Sequence, residues 1–418
     1  MGDGWGGVPA DVFTAILLRI QLIHWRWLRL VCRHWRDVID ERTPEPRAHA
    51  KVLAFYTDGD RSRAFVVDGL PGGRRSVELN LPMINTARMI GTCNGLLCLW
   101  MSDDYSRGQI AVVNPAIREM ITVNAPVTAC SGRDATYSFG CHPATTGQYK
   151  ILHVPLRPVR SSFLVCDSQA GEFDKVHVLT LGDVSSREWR EVPAPAGSSC
   201  NLRFGFVSVH GVTYWVTEDA KKIMSFDLKD ERVALVKCQQ MPVLPAKDCY
   251  FYEQRSHLTD VRGRVGLAVG RSFDEFARSK IEVWVLEGGR EEEQTWVKRY
   301  TILMHGVDPR QKMASPHIVH GEHVLTTYTL RPPFSNRRSL NAHQPREERK
   351  MRPCLMLRLG APRPETATGV FEIRSECLQT FAYVETREPV VVYGDGIVYG
   401  GGRCDGEEAP GWTLVPTS

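Results

Sequence analysis

The sequence predicts a chain of two unlike parts, α+β by domain: a short N-terminal three-helix segment followed by an all-β domain, for which a β-propeller is the favoured arrangement. Three observations lead there. Residues 8–39 carry apolar side chains at helical spacing, up to a stop at Pro44 and Pro46. Beyond Pro46 the helical period gives way to short alternating runs punctuated by Gly, Pro, Asn and Asp. On those runs a degenerate hairpin unit repeats, each copy opening on a turn glycine.

In the first part, Val12, Phe13, Ile16, Leu17 and Ile20 form one helical stripe, with Pro9 and Asp11 suited to a first turn. Val31, Trp35, Val38 and Ile39 form a second. Four of the ten tryptophans (Trp5, Trp25, Trp27, Trp35) precede Pro44. A segment of about 40 residues rarely folds alone without a staple or a partner. Burying each large apolar side chain is worth about 1.5–3 kcal/mol. These helices therefore pack either on the rest of the chain or on another protein.

The residues resemble an F-box, the module that docks a receptor onto the SKP adaptor of a cullin–RING ubiquitin ligase. The resemblance rests on Val8-Pro9, Ile16-Leu17, Arg19-Ile20, and the run Arg29-Leu30-Val31-Cys32-Arg33-His34-Trp35-Arg36-Asp37-Val38-Ile39. Gln21 stands where the family usually has Pro, and His24 where it has a small polar residue. The resemblance implies an adaptor-binding surface of Val8, Pro9, Val12, Ile16, Leu17, Ile20, Leu28, Leu30, Val31, Cys32, Trp35 and Ile39.

Strands are expected in the second part at 51–56, 64–67, 95–100, 110–114, 150–154, 175–181, 211–216, 223–228, 281–286, 355–359 and 389–393. The repeat begins at Asn94-Gly95, His210-Gly211, Arg262-Gly263 and His320-Gly321, where glycine supplies the positive φ of a tight turn. A second strand follows each unit, at 110–115, 223–228, 281–286 and 354–359. A lone hairpin cannot bury its apolar face, so the units must stack. Radial stacking gives a propeller, and a two-sheet sandwich is the competing arrangement.

This region is similar to the F-box-associated (kelch-like) domain of plant F-box proteins. The similarity rests on Gly91–Leu99 (GTCNGLLCL), Asn114–Glu119 (NPAIRE), Phe139-Gly140-Cys141-His142-Pro143 with Tyr149-Lys150-Ile151, Leu181-Gly182 with Trp189-Arg190, His210-Gly211 with Tyr214-Trp215, and Phe226-Asp227-Leu228. His142 occupies a position where the family usually has Asp. The expected division is 1–46 for the F-box, 47–405 for the β domain and 406–418 for a tail. Within the β domain, the basic stretch 331–352 is expected as a flexible insertion and the acidic 287–294 as a solvated hairpin loop.

Composition narrows the chemistry. The net charge of +4 over 418 residues is too small to imply nucleic acid. No apolar run has the length of a membrane span, and no secretory signal opens the chain. The twelve cysteines include no Cys-x-x-Cys pair, so free thiols in a reducing compartment, cytoplasmic or nuclear, are expected, with no metal or other cofactor. The run His317–His323 places His320 on the opposite strand face from its neighbours and is read as a chance cluster. Neither a Gly-x-Ser-x-Gly elbow nor a phosphate-binding Gly-x-x-x-x-Gly-Lys-Ser/Thr loop occurs. Taken with the two resemblances, this implies a non-catalytic substrate receptor of a ubiquitin ligase, with an SKP-type adaptor and a target protein as partners. The alternative is a stand-alone propeller that binds a protein or a glycan.

Overall fold

The computed structural model describes Val12, Ile16, Leu28 and Trp35, each helical, and then most of 50–398 with 413–414. The rest of 1–49 lies outside the described residues, as do 59–60, 69–74, 83–86, 102–107, 127–135, 143–147, 157–169, 183–187, 240, 243–255, 273–277, 289–292, 306–310, 322, 331–336, 344–352, 358–372, 375–377, 395, 399–412 and 415–418. The expected three-helix segment and the tail therefore fall largely outside them.

The described strands form six antiparallel sheets of four or more strands, taken in chain order. The first contains β1 (Lys51–Asp58), β2 (Arg61–Asp68) and β3 (Arg75–Glu78). The second contains β4 (Ala87–Cys93), β5 (Leu96–Met101), β6 (Gln109–Asn114) and β7 (Glu119–Asn124). The third contains β8 (Tyr137–Cys141), β9 (Tyr149–His153), β11 (Lys175–Leu181) and β12 (Arg190–Pro193); β10 (Ala170–Glu172) pairs with β13 (Ser199–Asn201) beside it. The fourth contains β14 (Val207–Val209), β15 (Val212–Val216), β16 (Ile223–Asp227) and β17 (Arg232–Leu235). The fifth contains β18 (His257–Val261), β19 (Arg264–Ser272), β20 (Arg278–Glu287) and β21 (Thr295–His305). The sixth is built on β22 (Gln311–Met313), β23 (Val319–His320), β24 (His323–Leu330), β25 (Arg337–His343), β26 (Pro353–Leu357) and β27 (Ile373–Arg374). Then β28 (Leu378–Tyr383) returns to become the first strand of the first sheet, pairing with β1 from Lys51↔Tyr383 to Tyr56↔Leu378. Last, β29 (Gly396–Val398) and β30 (Thr413–Leu414) extend the second sheet beyond β7.

The period of two explains why these sheets stack. On β5, Leu97 and Leu99 pack with Leu53 and Phe55 of the first sheet, while Leu96, Cys98 and Trp100 pack with Phe139, Tyr149 and Ile151 of the third. On β15, Val212, Tyr214 and Val216 face Val265 and Leu267 of the fifth sheet, and Trp215 faces Val176 and Val178 of the third. Each sheet is apolar on both faces, so the alternation expected from the sequence gives way to nearly continuous burial on inner strands such as β5 and β6. The first sheet closes the circle: Val52, Ala54 and Tyr56 pack on Leu325, Leu340 and Ala342 of the sixth. Between the sixth sheet and β28 the backbone joins directly, His317 N–H donating to Thr380 O at 3.0 Å and Thr380 N–H to Ser315 O at 2.9 Å. The arrangement is a closed β-propeller, not a sandwich.

Two expectations need correction. Within the basic stretch 331–352, residues 337–343 form β25, paired along its length with β24, with Leu340 and Ala342 fully buried. The strand following the His320-Gly321 hairpin is therefore β25, and 353–357 is the strand beyond it. The two buried apolar positions outweigh the charge of the surrounding sequence. Residues 389–393 were expected as a strand but hold a 3-10 turn at Val391–Tyr393. Its start is fixed by Glu119, whose Oε2 accepts from Val390 N at 2.6 Å and Val391 N at 3.3 Å.

The segment after β28 crosses onto the second sheet as a strap. Asn114, fully buried, donates to Glu388 O at 2.7 Å and Thr386 O at 3.2 Å, and accepts from Ala116 N at 3.0 Å. Gly95 (φ +82) lies so close beneath that a Cβ there would strike Val384 O. Replacing Asn114 by Ala would leave two strap carbonyls without that donor and is expected to cost about 2–4 kcal/mol. Replacing exposed Gln109 by Ala should cost under about 0.5 kcal/mol. Urea denaturation midpoints of the two variants check this; equal midpoints would contradict the strap's role.

Candidate target-binding face

Because neighbouring strands are antiparallel, successive connections alternate between the two ends of the ring. The innermost strands β28, β4, β8, β14, β18 and β23 all run toward one end, called here the near face. The turns there touch one another. Asn94 Nδ2 donates to Cys141 Sγ and to Tyr149 OH, both at 3.3 Å. A Cβ at Gly211 would strike His142, and Arg262 Nη2 donates to Gly321 O at 3.2 Å. These turns are tight because their residues take left-handed backbone: Asn94 (φ 50) with Gly95, His210 (φ 48) with Gly211, and Arg262 (φ 52) with Gly263. Lys51 opens β1 at this same face, opposite Tyr383, so the residues preceding it join the ring there.

The opposite, far face receives 79–86, 102–108, 125–136, 154–169, 236–256, 273–277 and 358–372, which include the three longest links of the ring, while 142–148, 182–189, 288–294 and 344–352 leave strands at the near face. Loops held on a rigid scaffold are where binding residues concentrate. At its described edge lies an aromatic stack. Trp100 stacks on Tyr137 with centroids 4.9 Å apart, Tyr137 on His153 at 4.7 Å, and His153 on His177 at 5.3 Å. Gly108 lies directly on the Trp100 ring, where a Cβ would clash.

The two imidazoles meet at Nδ1···Nδ1 3.1 Å, one donating to the other, so they hold opposite tautomers. Both are buried. Burial, reinforced by the neighbouring His177, pushes His153 down to about 3. Burial also lowers His177, opposed by Glu191, whose Oε1 lies 3.6 Å from its Nε2 and is held by Lys175 Nζ at 2.6 Å. Two neutral, buried rings stiffen the third sheet and have no nucleophile to activate among these contacts.

A second polar group ties the third sheet to the fourth. Buried Lys150 donates to Leu228 O at 2.5 Å and pairs with Glu231 at 2.6 Å, and Glu231 also takes both Arg190 Nη atoms at 2.7 Å. Burial raises the Glu231 carboxyl, but the hydrogen bonds from Arg190 and Lys150 outweigh it and hold it below the usual carboxylate range.

Of the positions expected to meet an adaptor, Val8, Pro9, Leu17, Ile20, Leu30, Val31, Cys32 and Ile39 lie outside the described residues. Val12 and Ile16 are 50% and 47% exposed; Leu28 and Trp35 are half-buried. In the histidine run, His317 Nε2 meets His320 Nδ1 at 3.2 Å. Among the described residues no group of three or more His, Cys, Asp or Glu is placed to hold a metal ion, and no helix is long and apolar enough to cross a membrane. The imidazole pair carries no local sequence signal, because its members lie 24 residues apart.

A closed ring of stacked antiparallel sheets defines a β-propeller domain. Residues 74–335 match the family model of the F-box associated beta propeller domain, and the chain belongs to that family. It is 23% identical over 326 residues to F-box protein At3g07870 of Arabidopsis thaliana, covering 72% of this chain and 74% of that one. It is 24% identical over 310 residues to the putative F-box protein At4g17780 of the same plant, covering 71% of each. The putative F-box protein At3g10430, also from Arabidopsis thaliana, is 23% identical over 230 residues, covering 54% of this chain and 60% of that one.

The imidazole pair generates a pH prediction. The native state keeps His153 and His177 neutral where the unfolded chain would protonate them near 6.5. Their contribution is present above that value and is lost as pH falls below it; for His153 the loss runs from about 6.5 toward 3, by up to about 1.4 kcal/mol per pH unit, and His177 adds a loss of the same sign. A His153→Phe/His177→Leu double variant should therefore lose less stability than wild type between pH 7 and pH 5, read from paired denaturation curves. Parallel losses would contradict the assignment.

Proposed function

We propose that this chain is the substrate-recognition subunit of an SKP–cullin–F-box ubiquitin ligase. Its N-terminal helices dock an SKP-type adaptor through Val8, Pro9, Val12, Ile16, Leu17, Ile20, Leu28, Leu30, Val31, Cys32, Trp35 and Ile39. The propeller holds a target protein by the loops of its far face. Membership of the F-box associated propeller family carries this reading, and the similarity to F-box proteins of Arabidopsis thaliana supports it. One feature supports this division of labour: Lys51 opens β1 at the near face, the end opposite the longest connections.

In this reading the chain supplies no bond-making group and works in the cytoplasm, the nucleus or both, without cofactor, nucleic acid or membrane. Its contribution is proximity. Holding a target lysine beside the conjugating enzyme turns a bimolecular encounter into a local one.

Co-expression with an SKP adaptor tests this directly. Wild type is expected to elute with the adaptor as a one-to-one complex. Leu30→Ala/Trp35→Ala, truncating two apolar anchors worth about 2–4 kcal/mol each, should weaken the complex by roughly three orders of magnitude or more while the propeller's unfolding transition stays in place. A wild-type chain that remains a stable monomer and ignores the adaptor would overturn the reading in favour of a stand-alone protein- or glycan-binding module.

A further inference from the structure

We propose that Cys93 and Cys141 form a redox-responsive dithiol that closes reversibly into an intrachain disulfide between the second and third sheets. Cys93 ends β4 and Cys141 ends β8, on neighbouring innermost strands at the near face. Their sulfurs lie 3.1 Å apart, already in contact and about 1 Å from bonding distance. Both residues are half-buried, whereas Cys98 and Cys200 are fully buried, with thiols that burial pushes up.

The surroundings favour reaction at this pair. Asn94 Nδ2 donates to Cys141 Sγ at 3.3 Å, a contact that stabilises negative charge on sulfur. Tyr149 beside it donates to Glu388 Oε2 at 2.7 Å and takes part as a neutral phenol, because burial holds its hydroxyl well above the usual phenol range. Tyr393 OH also donates to Glu388, so the strap anchors next to the two sulfurs. A bond between Cys93 and Cys141 would staple the corner of the ring on which the strap rests.

The step balances with a small-molecule disulfide as oxidant. The thiolate of one cysteine attacks oxidised glutathione, forming a mixed disulfide and releasing one glutathione thiolate. The other cysteine, deprotonated, displaces the second glutathione. Two protein thiols lose two electrons and two protons, one S–S bond forms, and one glutathione disulfide becomes two glutathione thiols. The link would join positions 48 residues apart, a loop long enough to restrict the unfolded chain strongly.

The test uses the full chain, reduced, desalted and then exposed to oxidised glutathione, with remaining thiols alkylated before peptide mapping. The expected result is a joined peptide pair containing Cys93 and Cys141, loss of two alkylatable thiols, a Tm gain of roughly 5 °C, and reversal of all three by dithiothreitol. Cys93→Ser and Cys141→Ser should each abolish the joined pair and the Tm gain. The proposal is overturned if Cys93 and Cys141 carry separate alkyl or glutathione groups, if a different pair is joined, or if purified chain holds a chelator-removable metal on these two thiols. The wild-type map decides among these outcomes even where a variant fails to fold.

Discussion

The pairing of β28 with β1 is the constraint on which the rest of the structure depends. A propeller sheet is apolar on both faces and is covered only by its neighbours, so an open ring leaves two faces in water. Here the sheet that closes the ring is assembled from both ends of the β domain. Phe381 and Tyr383 of β28 enter the cluster shared with the second sheet, and Leu378 enters the cluster shared with the sixth. One strand therefore completes two interfaces. Its pairing spans more than three hundred residues of chain, so a large loop-closure entropy must be met by burial at both interfaces together. The strap continues this work: Asn114, Glu119 and Gly95 fix the residues that follow β28 onto the second sheet.

Closure also divides the molecule into two faces with different chemistry. The near face is a ring of short turns in mutual contact, from Gly95 under the strap through Asn94, Cys141 and His142 to Gly211, and again from Arg262 to Gly321. Connections 142–148, 182–189, 288–294 and 344–352 also leave strands at this end, and Lys51 opens β1 there. The far face carries the long connections above a stiff layer of stacked rings, Trp100, Tyr137, His153 and His177. The proposed receptor role would use such a separation: a rigid body that fixes the distance between adaptor and target.

Much of the ring is legible in the sequence, for identifiable reasons. The pairs Asn94-Gly95, His210-Gly211 and Arg262-Gly263 mark tight turns because left-handed backbone restricts residue choice, and the apolar runs beside them are too long and continuous to face water. The expected strands at 51–56, 110–114, 175–181 and 281–286 all lie within strands of the ring, and 95–100 does so but for Gly95, which is in the turn before β5. β25 was hidden because charge at Arg337, Arg338 and Arg346 to Arg349 dominates the local composition, while Leu340 and Ala342 within it are fully buried. The strand expected at 389–393 has the right composition, but Glu119, far off in sequence, caps its backbone into a turn. The His153–His177 and Cys93–Cys141 contacts join residues on different strands, and no local pattern can announce them. The proposed adaptor-binding role of the N-terminal residues rests on their resemblance, since most of them lie outside the described part of the structure.

The central claim, that one ring presents its adaptor and its target on opposite faces, is tested most directly by lysine cross-linking of the chain in complex with an SKP adaptor, read by mass spectrometry. Lys229 sits in an exposed near-face turn between β16 and β17, and Lys221 and Lys222 in an exposed far-face turn between β15 and β16. The account predicts adaptor cross-links to Lys51 and Lys229 and none to Lys221 or Lys222. Cross-links concentrated on Lys221 and Lys222 would place the adaptor over the long loops and contradict it.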